Sequence, residues 1–235
     1  MTAPHYFREL LSPNDPSLMQ AYRILKRSFP ASELVRLADF LGSLTARAAG
    51  YWADLLWHVI VVEQGKLLTG VVTGAYLTAI NVGFVGYLAV DQALRSEGIG
   101  YRLRNRLLDV FQRDARRRRH TAVSAVVGEI EADSPWLAKL VRDHGALALD
   151  IPYYQPSVRP GQEAVPLVLY YQPLDRPRAS LPALEVGSLL YQIWRHAYQV
   201  VRPWQDPLFA EMLEAIAGRE RIGGRSLDAE AAALG

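Results

Sequence analysis

The sequence contains no cysteine, no long apolar run and no dominant charge, and each absence argues against a class of site. Without cysteine, the chain has no disulfide, no thiolate zinc site and no cysteine nucleophile. No apolar stretch approaches the length of about 20 residues that a membrane-spanning helix needs, and no secretory signal is recognisable. The net charge of +2 does not by itself indicate nucleic acid, and the five histidines lack the i, i+4 pairing typical of a metal site. We therefore expect a soluble, cytoplasmic protein with no metal, no membrane partner and no nucleic-acid partner.

The chain is rich in apolar residues, and its periodic segments follow a clear order. Half of its 235 residues are hydrophobic, which is enough for a substantial core. Over residues 1–175 the patterns predict a strand, two helices, three mostly antiparallel strands, a helix, a strand, a helix and two final strands. Residues 176–235 predict a proline-containing linker, two further helices and a tail that frays from Gly218. Aromatic residues crowd these helices, which predicts packing against the main domain or a homodimer contact.

The most informative stretch joins the predicted fourth strand to the long helix after it. Leu88, Ala89 and Val90 end the strand, and Gly98 and Gly100 lie in the turn. Glycines allow backbone N–H groups to crowd around a ligand, and the following helix directs its positive dipole end to the same place. The stretch therefore predicts an anion-binding cradle, most often one for phosphate.

Two common phosphate-binding motifs do not fit this turn. A P-loop requires Lys-Ser or Lys-Thr after its last glycine, where this chain has Tyr101 and Arg102. A dinucleotide-binding fingerprint requires a third glycine at the position of Leu103. The predicted order of elements also does not fit a parallel βαβ sheet.

The pattern Arg95-x-x-Gly98-x-Gly100, entered from a strand, resembles the acyl-CoA-binding signature of the GCN5-related N-acetyltransferase (GNAT) superfamily, Arg/Gln-x-x-Gly-x-Gly/Ala. The order of elements over residues 1–175 is similar to that fold as well. The resemblance implies an α+β, three-layer fold with a mixed, mostly antiparallel central sheet of about seven strands flanked by helices. Residues 1–175 would form this acyltransferase domain, and residues 176–235 a helical C-terminal extension.

The resemblance also implies a donor, acetyl-CoA, and specific contacts to it. The backbone N–H groups of the turn would bind the CoA pyrophosphate, Arg102 would reach a phosphate, and the pantetheine arm would pair with the fourth strand as an added strand. Such pairing needs a gap between the fourth and fifth strands, opened by a bulge for which Gly83 and Gly86 are candidates. The implied cofactor contacts are Leu88, Ala89, Val90, Arg95, Ser96, Glu97, Gly98, Ile99, Gly100, Tyr101, Arg102 and Ser134.

On the acceptor side, the sequence offers several candidate bases. A primary amine with a pKa of about 10.4 must lose a proton before it attacks, and a carboxylate can accept that proton. We choose Glu129, just after the fifth predicted strand, ahead of Glu131, Asp133 and Glu63. The alternative interpretation of Glu129 is a solvated carboxylate at a strand end.

The usual acid of the superfamily is missing. The family pattern before the sixth strand has a tyrosine where this chain has Val141, and we assign Tyr154, beside Tyr153, as the candidate catalytic tyrosine instead. Its alternative is a half-buried sheet residue. Ser134, at the asparagine position of the pattern, either contacts pantetheine or caps a helix. The predicted function is acetyl-CoA-dependent N-acetyltransfer to a primary amine by direct attack in a ternary complex. The alternative is a non-catalytic acyl-CoA-binding or oligomerising protein of the same fold.

Overall fold

A mixed sheet forms the centre of the molecule. The computed structural model describes residues 4–51, 54–65, 67–94, 97–159 and 161–227. Within them, the sheet contains β1 (His5–Glu9), β2 (Leu55–Gln64), β3 (Leu67–Leu77), β4 (Val82–Val90), β5 (Ala125–Ile130), β6 (Leu147–Ala148) and β9 (Val168–Pro173). Two short pairs lie outside it, β7 (Tyr154–Gln155) with β8 (Val165–Pro166), and β10 (Ser180–Pro182) with β11 (Arg221–Gly223).

The order of strands in the sheet is β1-β2-β3-β4-β5-β9-β6. All neighbours are antiparallel except β4 and β5, which are parallel. The predicted fold class, a mostly antiparallel sheet of about seven strands flanked by helices, is confirmed.

Helices cover both faces of this sheet. They are α1 (Leu18–Ser28), α2 (Leu37–Ala48), α3 (Ile99–Arg119), α4 (Pro135–His144), α5 (Ala183–Gln192) and α6 (Pro207–Ile216). Side chains alternate along β2, so Ile60 and Val62 pack with Leu103 and Leu107 of α3, whereas Val61 packs on the other face with α1 and α2. In the part of the chain that the structure describes, no helix is both long enough and apolar enough to span a bilayer.

The C-terminal segment packs into the same core as the sheet. After α5, one turn of π-helix (Ile193–Ala197) places Trp194 fully inside, where its indole N–H donates to the carbonyl of Tyr154 at 3.2 Å. Trp194 also packs on Phe209 of α6, with ring centroids 5.2 Å apart. The same turn leads the chain to Tyr198, next to β5. The domain division after residue 175 and the homodimer contact stay predictions.

Two local predictions differ from the structure. The sequence pattern places the first of the two final strands over residues 146–154, but the structure interrupts it between β6 and β7, where Pro152 lacks the N–H that a continuous ladder needs. The tail was expected to fray from Gly218, yet β11 pairs with β10, and the Asp150 N–H donates to the Gly223 carbonyl at 3.0 Å. Backbone pairing with distant residues holds this segment in place, and such pairing leaves no pattern in the local sequence from which it could be predicted.

Candidate functional site

The sheet opens between β4 and β5. The two strands pair only from Val82 to Val85 and from Ala125 to Gly128, and beyond these residues β4 continues to Val90 without β5. A bulge accompanies the opening, because Val85 is opposite Gly74 and Leu88 is opposite Val72, so β4 carries one additional residue. The gap expected from the resemblance is therefore present.

The bulge lies at Gly86 and Tyr87, the second of the two predicted places. The N–H of Tyr87 turns out of the strand ladder and donates to the Thr73 hydroxyl at 2.9 Å, which satisfies a buried donor. Gly83 has a different role: a Cβ at this position would come within 2.2 Å of the Phe111 ring, so glycine allows α3 to pack closely on β4.

The glycine turn places the N-terminus of α3 at the open end of β4. Gly98 precedes the helix in the left-handed conformation (φ +71°), and the first helical bond runs from the Arg102 N–H to the Gly98 carbonyl at 3.1 Å. The N–H groups of residues 99–101 precede that bond and have no intrahelical acceptor. A Cβ at Gly100 would lie 3.4 Å from the Leu88 side chain, which shows how closely the turn approaches the strand. The first turn carries no acidic side chain, so it suits an anion.

The other residues predicted to contact the donor differ in where the structure places them and in what they contact. Arg95 and Ser96 lie outside the described residues. Glu97 is 3.8 Å from the His5 imidazole, and Arg102 shares a 3.0 Å contact with the other nitrogen of the same ring. Ser134 caps α4, accepting the Trp136 N–H at 3.3 Å, and it also lines the cavity of the split.

A cavity of about 330 Å³ occupies the split and passes from the α3 side of the sheet towards the loop before α2. Its wall includes Leu88, Arg104, Glu129, Tyr170 and Tyr198. A more open groove of about 600 Å³ lies elsewhere, between β1 and α3. We place the candidate site in the smaller cavity because it coincides with the opening of the sheet. No cluster of three or more potential metal ligands occurs in the described parts of the chain.

Glu129 is the carboxylate at the centre of this cavity. It follows Gly128, the last residue of β5 that pairs with β4. One carboxylate oxygen accepts the Tyr153 hydroxyl and the other accepts the Tyr198 hydroxyl. Burial raises the pKa of Glu129 to about 7, although the two hydrogen bonds oppose the rise. A carboxyl group with that pKa can exchange a proton near neutral pH.

Two further carboxylates line the same cavity. Burial and the nearby charge of Glu131 raise the pKa of Glu33, and Glu33 in turn contributes to the raised pKa of Glu129. The Glu33 backbone is held firmly, since its carbonyl accepts the Tyr87 hydroxyl at 2.7 Å and the Gln155 amide at 3.0 Å. Three carboxyl groups therefore line one part of the cavity, and the backbone of Glu33 is fixed there by two hydrogen bonds.

Comparison with known proteins bears on the fold. No family model and no curated protein matches this sequence. Among solved structures, a protein assigned to the GNAT acetyltransferases of Bacteroides thetaiotaomicron is 19% identical, with 83% of this chain and 99% of that chain covered and a TM-score of 0.60. A protein assigned to the acetyltransferases of Acinetobacter baylyi is 16% identical, with 75% and 97% covered and a TM-score of 0.53. One from Salmonella typhimurium, solved with its cofactor acetyl-CoA, is 18% identical, with 75% and 98% covered and a TM-score of 0.51.

The chain has the GNAT fold. Within this fold, the predicted catalytic residue Tyr154 lies away from the cavity. Its hydroxyl donates to Glu211 of α6 at 2.9 Å, and the residue does not line the cavity. Val141 packs in the cluster under α4 and offers no hydroxyl. The structure thus brings Glu129 and Ser134 into the cavity and leaves Tyr154 outside it.

Tyr198 is one of the cavity residues that sequence reasoning missed, together with Glu33, Arg104 and Tyr170. It comes from the segment after α5, outside residues 1–175, whose order of elements carried the resemblance, and it reaches Glu129 because the π-turn and the buried Trp194 direct the chain there. The aromatic density of this segment was visible in the sequence, but it indicated packing rather than a site residue.

Proposed function

We propose that the protein is an acetyl-CoA-dependent N-acetyltransferase that acylates a primary amine by direct attack in a ternary complex. The observation that carries the proposal is the bulged split between β4 and β5, with the glycine turn at one end and Glu129 at the other. The structural neighbour from Salmonella typhimurium, solved with acetyl-CoA, supports the choice of donor.

On the donor side, backbone groups do most of the binding. The N–H groups at the start of α3 would hold the pyrophosphate, and the edge of β4 at Leu88 and Ala89, beyond its pairing with β5, would pair with the amides of the pantetheine arm. The residues fit this group, since the split is open beside Leu88 and the first turn of α3 carries no competing acid. When bound, acetyl-CoA supplies an activated thioester.

On the acceptor side, Glu129 is the proposed base. With a pKa near 7 it is substantially ionised at neutral pH, and it can take a proton from an attacking amine, directly or through water. The Tyr153 and Tyr198 hydroxyls hold both of its oxygens, so the carboxylate has a fixed orientation. Glu33 and Glu131 line the same cavity and favour an acceptor that arrives as a cation.

Calorimetric titration with acetyl-CoA tests the donor half of this proposal. We expect saturable binding with a dissociation constant in the range of about 1 μM to 1 mM, the span of ordinary KM values. A panel of primary amines, followed by CoA thiol release, then tests transfer. No heat of binding at acetyl-CoA concentrations of about 1 mM would contradict the proposal.

A second candidate function, acyl-CoA binding without transfer, is favoured by one observation, Val141 in place of the usual tyrosine. The same two experiments separate the candidates. Binding of acetyl-CoA with no CoA release for any amine supports the non-catalytic protein, whereas release that is abolished in Glu129→Gln supports the enzyme.

A further inference from the structure

A second tyrosine lies at the apex of the split, on the face of the sheet opposite to Tyr198. Tyr170 on β9 is directly opposite Gly128, the β5 residue at which pairing with β4 ends. A Cβ on Gly128 would be 2.7 Å from the Tyr170 hydroxyl oxygen, so this hydroxyl lies over the apex where the strands part. Tyr170 is 3% exposed, and its exposed part lines the cavity.

The two faces of β5 separate two kinds of group. Successive side chains of a strand point to opposite faces, so Glu129 projects away from the side on which Tyr170 covers Gly128. The hydrophobic clusters agree, since Tyr170 packs with α4, whereas Tyr198 packs in the core on the other side. A hydroxyl and a carboxylate thus approach the apex of the split from opposite faces.

Tyr170 shares its cluster with Val141. Both pack with Leu137 and Leu140 of α4, the helix in which the usual tyrosine is missing. The absence of an aromatic ring at Val141 leaves Tyr170 as the tyrosine on this side of the apex, among the described residues that line the cavity.

Arg104 gives the Tyr170 hydroxyl an unusual environment. This arginine of α3 is 2% exposed, lines the cavity, and donates to the side-chain carbonyl of Gln172. Burial raises the pKa of Tyr170, and the nearby positive charge of Arg104 opposes the rise. Within the described residues it has no carboxylate partner, and its Nε has no hydrogen-bond partner. A buried cation without a counterion stabilises negative charge that develops beside it.

We propose that Tyr170 is the catalytic proton donor to the leaving thiolate and that Arg104 is its positioning residue. The inference rests on the proposed acyltransferase function. The C–N bond of the amide forms as the C–S bond of the thioester breaks. The proton of the Tyr170 hydroxyl moves to sulfur, the proton of the amine moves to the Glu129 carboxylate, and Arg104 stabilises the tyrosinate until it is reprotonated from Glu129 through solvent.

The test compares two neighbouring tyrosines of β9 in the full chain. Tyr170→Phe removes the hydroxyl at the apex, and Tyr171→Phe removes one on the opposite face, which donates to Glu185 at 3.2 Å. With acetyl-CoA and the best amine of the panel, we expect kcat to fall about 100-fold in Tyr170→Phe, with the KM for acetyl-CoA little changed. Tyr171→Phe should keep the wild-type kcat.

A change of leaving group separates proton donation from a structural role. The CoA thiol is an alkyl thiol, a class for which the cysteine side chain, with a pKa of about 8.5, is the nearest reference, whereas 4-nitrothiophenol is far more acidic and leaves without a proton. With the acetyl thioester of 4-nitrothiophenol, Tyr170→Phe should match the wild type. Equal losses with both donors would overturn the proposal, because a distorted cavity would slow both.

A double-mutant cycle tests Arg104 through the same reaction. Arg104→Met should lower kcat with acetyl-CoA, and adding it to Tyr170→Phe should cause little further loss, because the arginine acts through the tyrosine. Additive losses would overturn its role as a positioning residue.

Two outcomes distinguish this proposal from the proposed function. If the wild type releases no CoA with any amine, both fail. If the wild type is active and Tyr170→Phe is equally active, only the role of Tyr170 fails. If the thermal unfolding curve shows that Tyr170→Phe does not fold, the wild type alone can test the proposal. Its rate should depend only weakly on the pKa of the leaving thiol across a series of acetyl thioesters. A steep dependence would overturn the proposal.

Discussion

The two halves of the cavity are built in different ways. The half proposed to bind the donor is one continuous stretch of sequence, from the bulge at Gly86 through β4 to the first turn of α3, and it offers mainly backbone groups. The half proposed to bind the acceptor collects side chains from distant segments, with Glu33 before α2, Glu129 on β5 and Tyr198 after α5, and Tyr153 supports Glu129 from behind.

This difference predicts different sensitivities. Backbone N–H groups keep their chemistry when side chains change, so the donor half should respond to shape and to the integrity of the bulge. The acceptor half depends on the pKa of one carboxylate, which burial and two hydroxyls set in opposite directions. Variants in the first half should therefore change the affinity for acetyl-CoA, whereas variants in the second half should change kcat or its pH dependence.

The largest effect is expected from Glu129→Gln. The amide cannot accept the amine proton, so kcat should fall by about 10²- to 10⁴-fold while acetyl-CoA binding, measured by calorimetry, stays at the wild-type level. Glu214→Gln, on the exposed side of α6, is the matched control and should retain full activity. A similar kcat for both variants would show that the acceptor half does not depend on this carboxylate.

Thr73→Val tests the bulge that opens the donor half. The buried Tyr87 N–H loses its acceptor, which should lower the free energy of unfolding by about 1–3 kcal/mol in a denaturant titration. Acetyl-CoA binding should weaken as well. Thr69→Val, at a buried position of the same strand, is the control: its hydroxyl donates to the Val62 carbonyl at 3.3 Å, away from the bulge. If both variants weakened acetyl-CoA binding equally, the bulge would have no specific role in binding the donor.

Gly100→Ala should separate stability from donor affinity. The added methyl group lies in the first turn of α3, beside Leu88, where the donor would approach the N–H groups. We expect acetyl-CoA binding to weaken about tenfold, or ~1.4 kcal/mol. Alanine is the better helix former, so the free energy of unfolding should rise by roughly 0.5–1 kcal/mol. Gly42→Ala in α2, where a Cβ meets open space, should raise stability and leave binding unchanged. Unchanged binding in both variants would argue against the turn as the donor site.

The smallest effect is a shift of pH dependence in Tyr198→Phe. The Tyr198 hydroxyl stabilises the ionised form of Glu129, so its removal should raise the pKa of Glu129 further above its usual value. The base acts when it is ionised, and kcat/KM is lost as pH falls through this pKa. The acid limb of the pH profile should therefore move from about 7 to higher pH. Tyr191→Phe, whose ring stacks on Trp204 outside the cavity, should leave the limb in place.

The order of strands and helices could be predicted because each element carries its own periodic pattern, and the glycine turn could be recognised because all of its residues are neighbours in the chain. The first choice of base, Glu129, came from its place after the fifth strand, and the structure locates it in the cavity. The pairing of β11 was not predicted, since it depends on partners far away in sequence, whereas the interruption near Pro152 has a local cause that the expected strand did not take into account.

By itself, the sequence determined the GNAT-like order of elements and the position of the glycine turn proposed to bind the donor, because the local periodicity and the backbone freedom at Gly98 and Gly100 are properties of adjacent residues. Only the tertiary structure decided which tyrosines face the split. Tyr154 was the predicted candidate, yet it points to Glu211, while Tyr198 and Tyr170 approach the apex from opposite faces. The position of Tyr198 depends on how the C-terminal π-turn packs, and the position of Tyr170 depends on the face of β9 that its side chain occupies. Contacts between segments far apart in the chain determine both positions.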